Sequence, residues 1–279
     1  MRESANVFRW PALHAALARR DAPLNWFVRD DDAGWANERL FALLDAMRSA
    51  DAPIDLAVIP LALDAALADA LCARTDASQG RIGVHQHGHA HFDHEGASEP
   101  GRKTRKSEFG SARSLEARLA DLRAGRLRLQ RAFGRRLDDI FTPPWNRCAP
   151  DLPPQLPALG FALLSRDASA AAQPALPELP VQVDWCRHWR GAGGDAGAAL
   201  GAIDAALARA VDSDPAALGL MLHHAVMDDV EIVQVRQLMR QLTSTRLAAA
   251  QRVRVRPMRA LLPDAVRVAA VRNRPLPAL

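Results

Sequence analysis

The sequence predicts an α/β fold, a largely parallel sheet of about seven strands curled toward a barrel. Three observations carry that reading. Short apolar runs alternate with longer stretches of helical apolar spacing. Seven such runs within about 220 residues suit one closing sheet better than two separate domains. Finally, the groups best suited to chemistry fall at the ends of the short runs, and parallel α/β folds gather ligands at the carboxyl ends of their strands.

In chain order, residues 24–28 form the first buried strand, ending in Trp26-Phe27-Val28 just before Asp30-Asp31-Asp32. Residues 37–49 follow as a helix, 54–59 as a strand, 61–74 as a helix and 81–85 as the strand that leads into a run of histidines. A long helix is expected over 111–133, rich in good helix formers, then strands at 139–142, 161–164 and 179–183. A helix at 199–211, a strand at 218–222, an amphipathic helix at 229–242 and an edge strand at 252–256 complete the pattern. Two stretches read as irregular. Residues 92–110, rich in Gly, Ser and charge, touch the histidine run and are expected to be functional, with 101–110 a lid between two glycines. Residues 167–180, rich in Ala and Pro, read as a surface connection. The whole chain, 1–279, is expected to be one catalytic domain with its core at about 22–260 and a loosely packed tail at 263–279.

Apolar residues make up 49% of the chain, enough to bury a substantial core. Of the 36 basic residues only Lys103 and Lys106 are Lys, and Arg118, Arg123, Arg126 and Arg128 read as a solvated helix face. With a net charge of +4 and no block of like charge, a nucleic-acid surface is not expected. Cys72, Cys148 and Cys186 are odd in number and far apart, which fits neither a disulfide framework nor a Cys-based metal site and suits a reducing compartment. The first six residues lack the apolar core of a signal peptide, and no segment approaches the roughly 20 apolar residues of a spanning helix. A cytoplasmic protein with no membrane partner is expected.

Five of the nine histidines lie at His85, His87, His89, His91 and His94, and the acidic triplet ends another strand. Imidazole and carboxylate are donors that divalent zinc, iron, nickel or cobalt accepts. Pro143-Pro144-Trp145-Asn146, Asp184-Trp185 and His223-His224 follow other strands and reach the same rim. On the last strand Leu218, Leu220 and Leu222 share one face with His224, whereas Gly219, Met221 and His223 share the other. Three leucines in step mark the side covered by helices, so His223 should point toward the mouth.

Arg29-Asp30-Asp31-Asp32, His87-Gly88-His89-Ala90-His91, Thr142-Pro143-Pro144-Trp145-Asn146, Asp184-Trp185 and Leu220-Met221-Leu222-His223 together resemble the ordered motifs of the polysaccharide deacetylases, the NodB-like carbohydrate esterase family four. The resemblance implies a distorted (β/α) barrel, a TIM-barrel variant, that removes acetyl groups from N-acetylated sugars with one divalent metal. It implies Asp31 as general base and Asp32 as metal ligand, with Asp30-Asp31 the competing register. His87 and His91 become the other ligands, because Gly88 follows the first; His85/His89 and His85/His87 are the other pairs. His223 is implied as the acid, in preference to His224, and Trp145, Asn146 and Trp185 as substrate contacts. Zinc is the expected ion, with iron, nickel or cobalt compatible, and without a secretion signal a cytoplasmic sugar intermediate or another small amide is expected as substrate rather than intact cell-wall polymer. Thr142 stands where many relatives carry an Arg that orients the base; Arg29, Arg147 and Arg187 are the candidates to replace it. Two rival readings remain. One is another metal-dependent hydrolase acting on a non-sugar C–N bond, and the other is a silent barrel that only binds a glycan.

Overall fold

A computed structural model of the chain describes residues 8–96, 105–171, 174–244 and 252–262. Its centre is a wholly parallel sheet in the order β5-β4-β3-β2-β1-β7-β6. The strands are β1 (Leu24–Ala33), β2 (Ile54–Val58), β3 (Ile82–His87), β4 (Leu137–Thr142), β5 (Leu163–Leu164), β6 (Val181–Asp184) and β7 (Ala217–Leu222). A short β8 (Val253–Val255) pairs with the start of β1. The sheet curls until its two edge regions meet through isolated bridges, Leu164 with Glu178 and Asp167 with Val181. This is the distorted (β/α) barrel expected. Residues expected to be a mere surface connection supply that closure, since the Leu179 and Val181 amides donate to Leu164 and Arg166.

Helices α1 (Pro11–Ala18), α2 (Asn37–Ser49), α3 (Ala65–Ala77), α4 (Leu115–Phe133), α5 (Trp185–Gly191), α6 (Ala196–Asp212) and α7 (Asp229–Thr243) accompany the sheet. Side-chain caps set several of their starts. Asp64, Ser114, Asp184 and Asp195 each accept from a backbone N–H three residues on, and Asp228 with Glu231 forms a reciprocal capping box on α7. Pattern reading missed α1 and α5. Each is too short to display a helical period, and α1 is held from outside itself: Asp204 on α6 accepts from the N–H groups of Ala12 and Leu13 at 2.9 Å. The packed body therefore begins before residue 22, with Trp10 and Leu13 fully buried.

Alternation along the strands divides the core. Trp26, Val28, Leu56, Val58, Leu218, Leu220 and Leu222 face the helices. Phe27, Ile140, Leu163, Val181 and Met221 face the barrel interior, which Met258 of the C-terminal segment closes from below. Arg118 and Arg126 depart from the expected solvated helix face. Both are buried, paired with Asp151 and Asp139 respectively. Among the described residues no helix is long and apolar enough to cross a membrane.

Candidate metal centre and active site

A parallel sheet brings every strand's carboxyl end to one rim, and the site is assembled there. Asp30 obeys the alternation of β1 and points to the helix side. Its carboxylate meets His224, Oδ2 to Nδ1 at 2.6 Å, and accepts the His224 backbone N–H at 2.9 Å; both side chains are fully buried. Asp31 faces the interior, as Phe27 and Arg29 do. Strict alternation would then return Asp32 to the helix side, but Asp32 has φ 70° and the pairing with β2 slips between Asp30 and Ala33. Asp is among the few residue types that tolerate the left-handed region. That one residue turns Asp32 back to the mouth, so adjacent carboxylates both face it.

His87 ends β3 on the interior face, fully buried. Its Nδ1 lies 3.0 Å from the Thr142 carbonyl oxygen, which assigns the proton to Nδ1 and leaves the Nε2 lone pair toward Asp32. Gly88 (φ 60°) and His91 (φ 55°) then turn the chain back so that His91 faces the same carboxylate. Nε2 of His87 and Nε2 of His91 lie 3.2 and 3.1 Å from the same Asp32 oxygen. The three donor atoms lie within 4.8 Å of one another. Two imidazoles converging on one carboxylate oxygen form the donor set of a two-His, one-carboxylate metal site, and the residues fit a divalent ion. The two imidazoles hold Asp32 well below the usual carboxylate range despite its burial. Burial works against charge on His87, yet Asp31 and Asp32 raise its pKa.

Asp31 is held by Arg29, two residues earlier on the same face. Arg29 Nε and Nη2 donate to the two Asp31 oxygens at 2.8 and 2.9 Å. The guanidinium also donates to Ser165 Oγ at 2.7 Å and Asn146 Oδ1 at 2.6 Å, and is fully buried. Burial alone would raise the pKa of Asp31, but the Arg29 charge and its hydrogen bonds, together with nearby His87 and His223, outweigh it and the carboxyl is lowered.

No family model matches the sequence, and no curated protein does. Solved structures do. A putative polysaccharide deacetylase from Mycobacterium smegmatis aligns over 98% of this chain and 97% of its own, with TM-score 0.58 and 16% identity. Peptidoglycan deacetylase PdaC from Bacillus subtilis aligns over 89% and 93%, with TM-score 0.52 and 10% identity. A family 4 acetyl xylan esterase from Clostridium thermocellum, in complex with a cobalt ion, aligns over 85% and 89%, with TM-score 0.50 and 13% identity. The fold is that of the polysaccharide deacetylases, the family 4 carbohydrate esterases.

Within this carbohydrate esterase fold, the sequence-derived residues divide into those the barrel brings together and those it does not. Asp31, Asp32, His87 and His91 converge, and His223 lies close enough for its charge to act on Asp31. Trp145 and Asn146 border the site, both in the left-handed region at φ 54° and 59°. The Trp145 ring lies 4.4 Å from that of His91. Trp185 does not reach the mouth. Its side chain is fully buried on the helix side against Trp10 and Trp189, and Asp184 is spent capping α5. Of the three arginines, Arg29 is the one beside Asp31; Arg147 is exposed and donates to the Lys106 carbonyl, and Arg187 is exposed on α5. His85 is buried with Nε2 2.9 Å from Thr142 Oγ1, and burial, helped by the Arg29 charge, pushes its pKa down to about 3.

The expected lid is only partly visible, because residues 101–104 lie outside the described residues, as does the tail at 263–279. Its C-terminal part is anchored by packing. Phe109 is buried against Phe141, and buried Glu108 accepts the backbone N–H groups of His89 and Ala90 at 3.2 and 2.6 Å. Sequence reading gave Glu108 no such task. It pins the loop that carries His91. Trp35 was also missed: 41% exposed, its ring lies edge-on to His91 at 4.8 Å.

Proposed function

We propose that the chain is a metal-dependent hydrolase that removes an acyl group, acetyl in the simplest case, from the nitrogen of a sugar or other small amide. The observation that carries this reading is an Arg29-held carboxylate, Asp31, directly beside the three converging donors of Asp32, His87 and His91. Those three would hold one divalent ion, zinc by the character of the donors, with iron, nickel or cobalt compatible. When bound, such an ion supplies Lewis acidity for a carbonyl oxygen and makes water more acidic.

Asp31 accepts the proton that water loses as its oxygen bonds to the acyl carbon. It suits the task because Arg29 keeps it ionised and aimed into the site. Breaking the C–N bond releases an amine, and His223, which follows β7 beside β1, donates its proton. Trp145 and Asn146 stand where the substrate enters. We place the protein in the cytoplasm, in keeping with free Cys72, Cys148 and Cys186; subcellular fractionation checks this.

Elemental analysis of the purified protein, with acetate release from N-acetylated sugars, tests the function. One ion per chain is expected. His87→Ala, His91→Ala and Asp32→Ala should lose it, while His85→Ala keeps it. Asp31→Asn should keep the ion and lose about 10²–10⁴-fold in turnover. A wild-type chain without stoichiometric metal would mean a silent barrel, and loss of metal from Asp31→Asn would make Asp31 a ligand instead.

A further inference from the structure

Trp35 presents an indole that plays no part in the proton transfers of hydrolysis. Its main chain is fully engaged: the N–H donates to the Asp32 carbonyl at 3.1 Å, and its own carbonyl oxygen lies 2.8 Å from Nε2 of His224. His224 is in turn fixed by fully buried Asp30. These contacts need no particular side chain at position 35, so they do not account for an indole there. That side chain is 41% exposed and touches the ring of His91 edge-on. Trp145 meets the same imidazole from its own loop, at 4.4 Å. The backbone of Trp145 is left-handed, a conformation a bulky residue adopts only where its surroundings impose it. A metal-ligand imidazole thus has one indole from the β1 loop and another from the β4 loop against it. Trp35 is exposed and Trp145 half-buried, so both remain open to a ligand.

We infer that Trp35 is a substrate-contacting residue, which with Trp145 walls a slot over His91 for the pyranose ring of an N-acylated sugar. This rests on the function proposed above; what it adds is a residue, Trp35, that distinguishes a ring sugar from a ringless amide at that site. A pyranose presents C–H groups on its faces and hydroxyls around its edge. An indole offers a flat apolar surface at little conformational cost, and apolar and aromatic linings are the rule in small-molecule sites. A ringless amide would reach the same donors without using Trp35. The buried Asp30–His224 pair is then a positioning device that holds the Trp35 main chain at a fixed height above Asp32.

Two readouts test the slot, one of them independent of turnover. Calorimetric titration of the metal-loaded protein with N-acetylglucosamine should show binding that Trp35→Ala weakens about tenfold or more, with Trp35→Phe recovering part of it. In kinetics, Trp35→Ala should raise KM for the N-acetyl sugar by a similar factor with little change in kcat. The KM of a ringless amide, N-acetylethanolamine, should stay within about twofold. Equal losses on both substrates, or loss of metal from Trp35→Ala, would overturn the inference and make Trp35 a shield for His91. Unchanged sugar binding in Trp35→Ala, or none in the wild type, would overturn it too. Sugar binding without acetate release from any amide would leave the slot standing and defeat the catalytic reading instead.

Discussion

Arg29 and Asp31 share one face of β1, and the guanidinium of the first grips the carboxylate of the second through two hydrogen bonds of 2.8 and 2.9 Å. The pair is almost wholly excluded from solvent. An ion pair from alternate positions of a single strand needs no other element to bring the partners together, so its geometry forms as soon as the strand does. Its reach is longer. Through Ser165 and Asn146 the same guanidinium ties Asp31 to the end of β5 and to the Trp145–Asn146 turn.

Arg29→Met should therefore cost stability and catalysis together. Removing one partner of a buried pair leaves an uncompensated charge, at about 3–5 kcal/mol. Arg29→Lys keeps the charge but not the fork, and should fall between wild type and Arg29→Met in both urea midpoint and kcat while retaining metal. The pH dependence has a definite sign. Asp31 is lowered in the folded chain, so its contribution to stability is present above the unfolded carboxylate value and is lost as pH falls through the folded one. Arg29→Met should flatten that acid limb. A variant with wild-type stability at neutral pH would show that the pair is not structurally important.

Neighbouring histidines at the end of β7 have separate surroundings, and their substitutions should separate accordingly. Burial works against charge on His224, but Asp30, the Trp35 carbonyl and Asp32 together push it up to about 8. His224→Ala strands a fully buried Asp30 and should destabilise the fold by about 3–5 kcal/mol. His223 is partly exposed, and its Nδ1 has no hydrogen-bond partner among the described residues. His223→Ala should leave the thermal midpoint close to wild type, keep the metal and lower kcat by about 10²–10⁴-fold. If the two phenotypes came out reversed, the proton donor would be His224.

Gly88 and Glu108 set the path of the loop that carries His91. A Cβ on Gly88 would run into the Glu108 carboxylate and the Pro144 ring, at a φ of 60° that L side chains rarely adopt. Gly88→Ala should displace the loop and weaken metal binding by about 10–100-fold, the range seen when groups that orient ligands are lost. Glu108→Ala, which frees the amides of His89 and Ala90, should do the same without any clash. Metal titration under a competing chelator reads both. Wild-type affinity in Glu108→Ala would show that His91 is positioned by its own turn alone.

Much of this arrangement is legible in the residue order, and the rest is hidden for physical reasons. Alternation in β7 placed Leu218, Leu220 and Leu222 against the helices, because alternate side chains of a strand go to opposite faces, here the helix layer and the barrel interior. The same rule could not settle the Asp30–Asp32 register, since the answer is a single left-handed residue that breaks the rule. Trp185 read as a sugar wall because it follows a strand end, but helix α5 begins at that residue and carries the ring into the core. Glu108 and Trp35 act through loops whose course depends on tertiary packing. Neither leaves a periodic trace in the sequence.

Asp55 shows the opposite linkage from Asp31, at the closed end of the same barrel. It lies near the start of β2 on the interior face, fully buried, with Oδ2 accepting the Met258 backbone N–H at 2.9 Å and Oδ1 without a partner among the described residues. Asp138, whose Oδ2 is 3.1 Å from Arg259, is its nearest like charge. Burial first, and Asp138 second, push Asp55 up to about 8. A carboxyl raised on folding is stabilising only while protonated. Its contribution is full below the unfolded value and declines as pH rises, until the folded group ionises near 8. Over that window the slope approaches about 1.4 kcal/mol per pH unit for one proton. Asp55→Asn keeps an acceptor for Met258 and removes the charge. It should leave stability nearly unchanged at pH 4 and raise it by up to about 5 kcal/mol at pH 8, where the slope has acted over roughly four pH units. Urea unfolding at the two pH values reads the difference. Equal effects at both would place the ionisation of Asp55 in the ordinary carboxylate range.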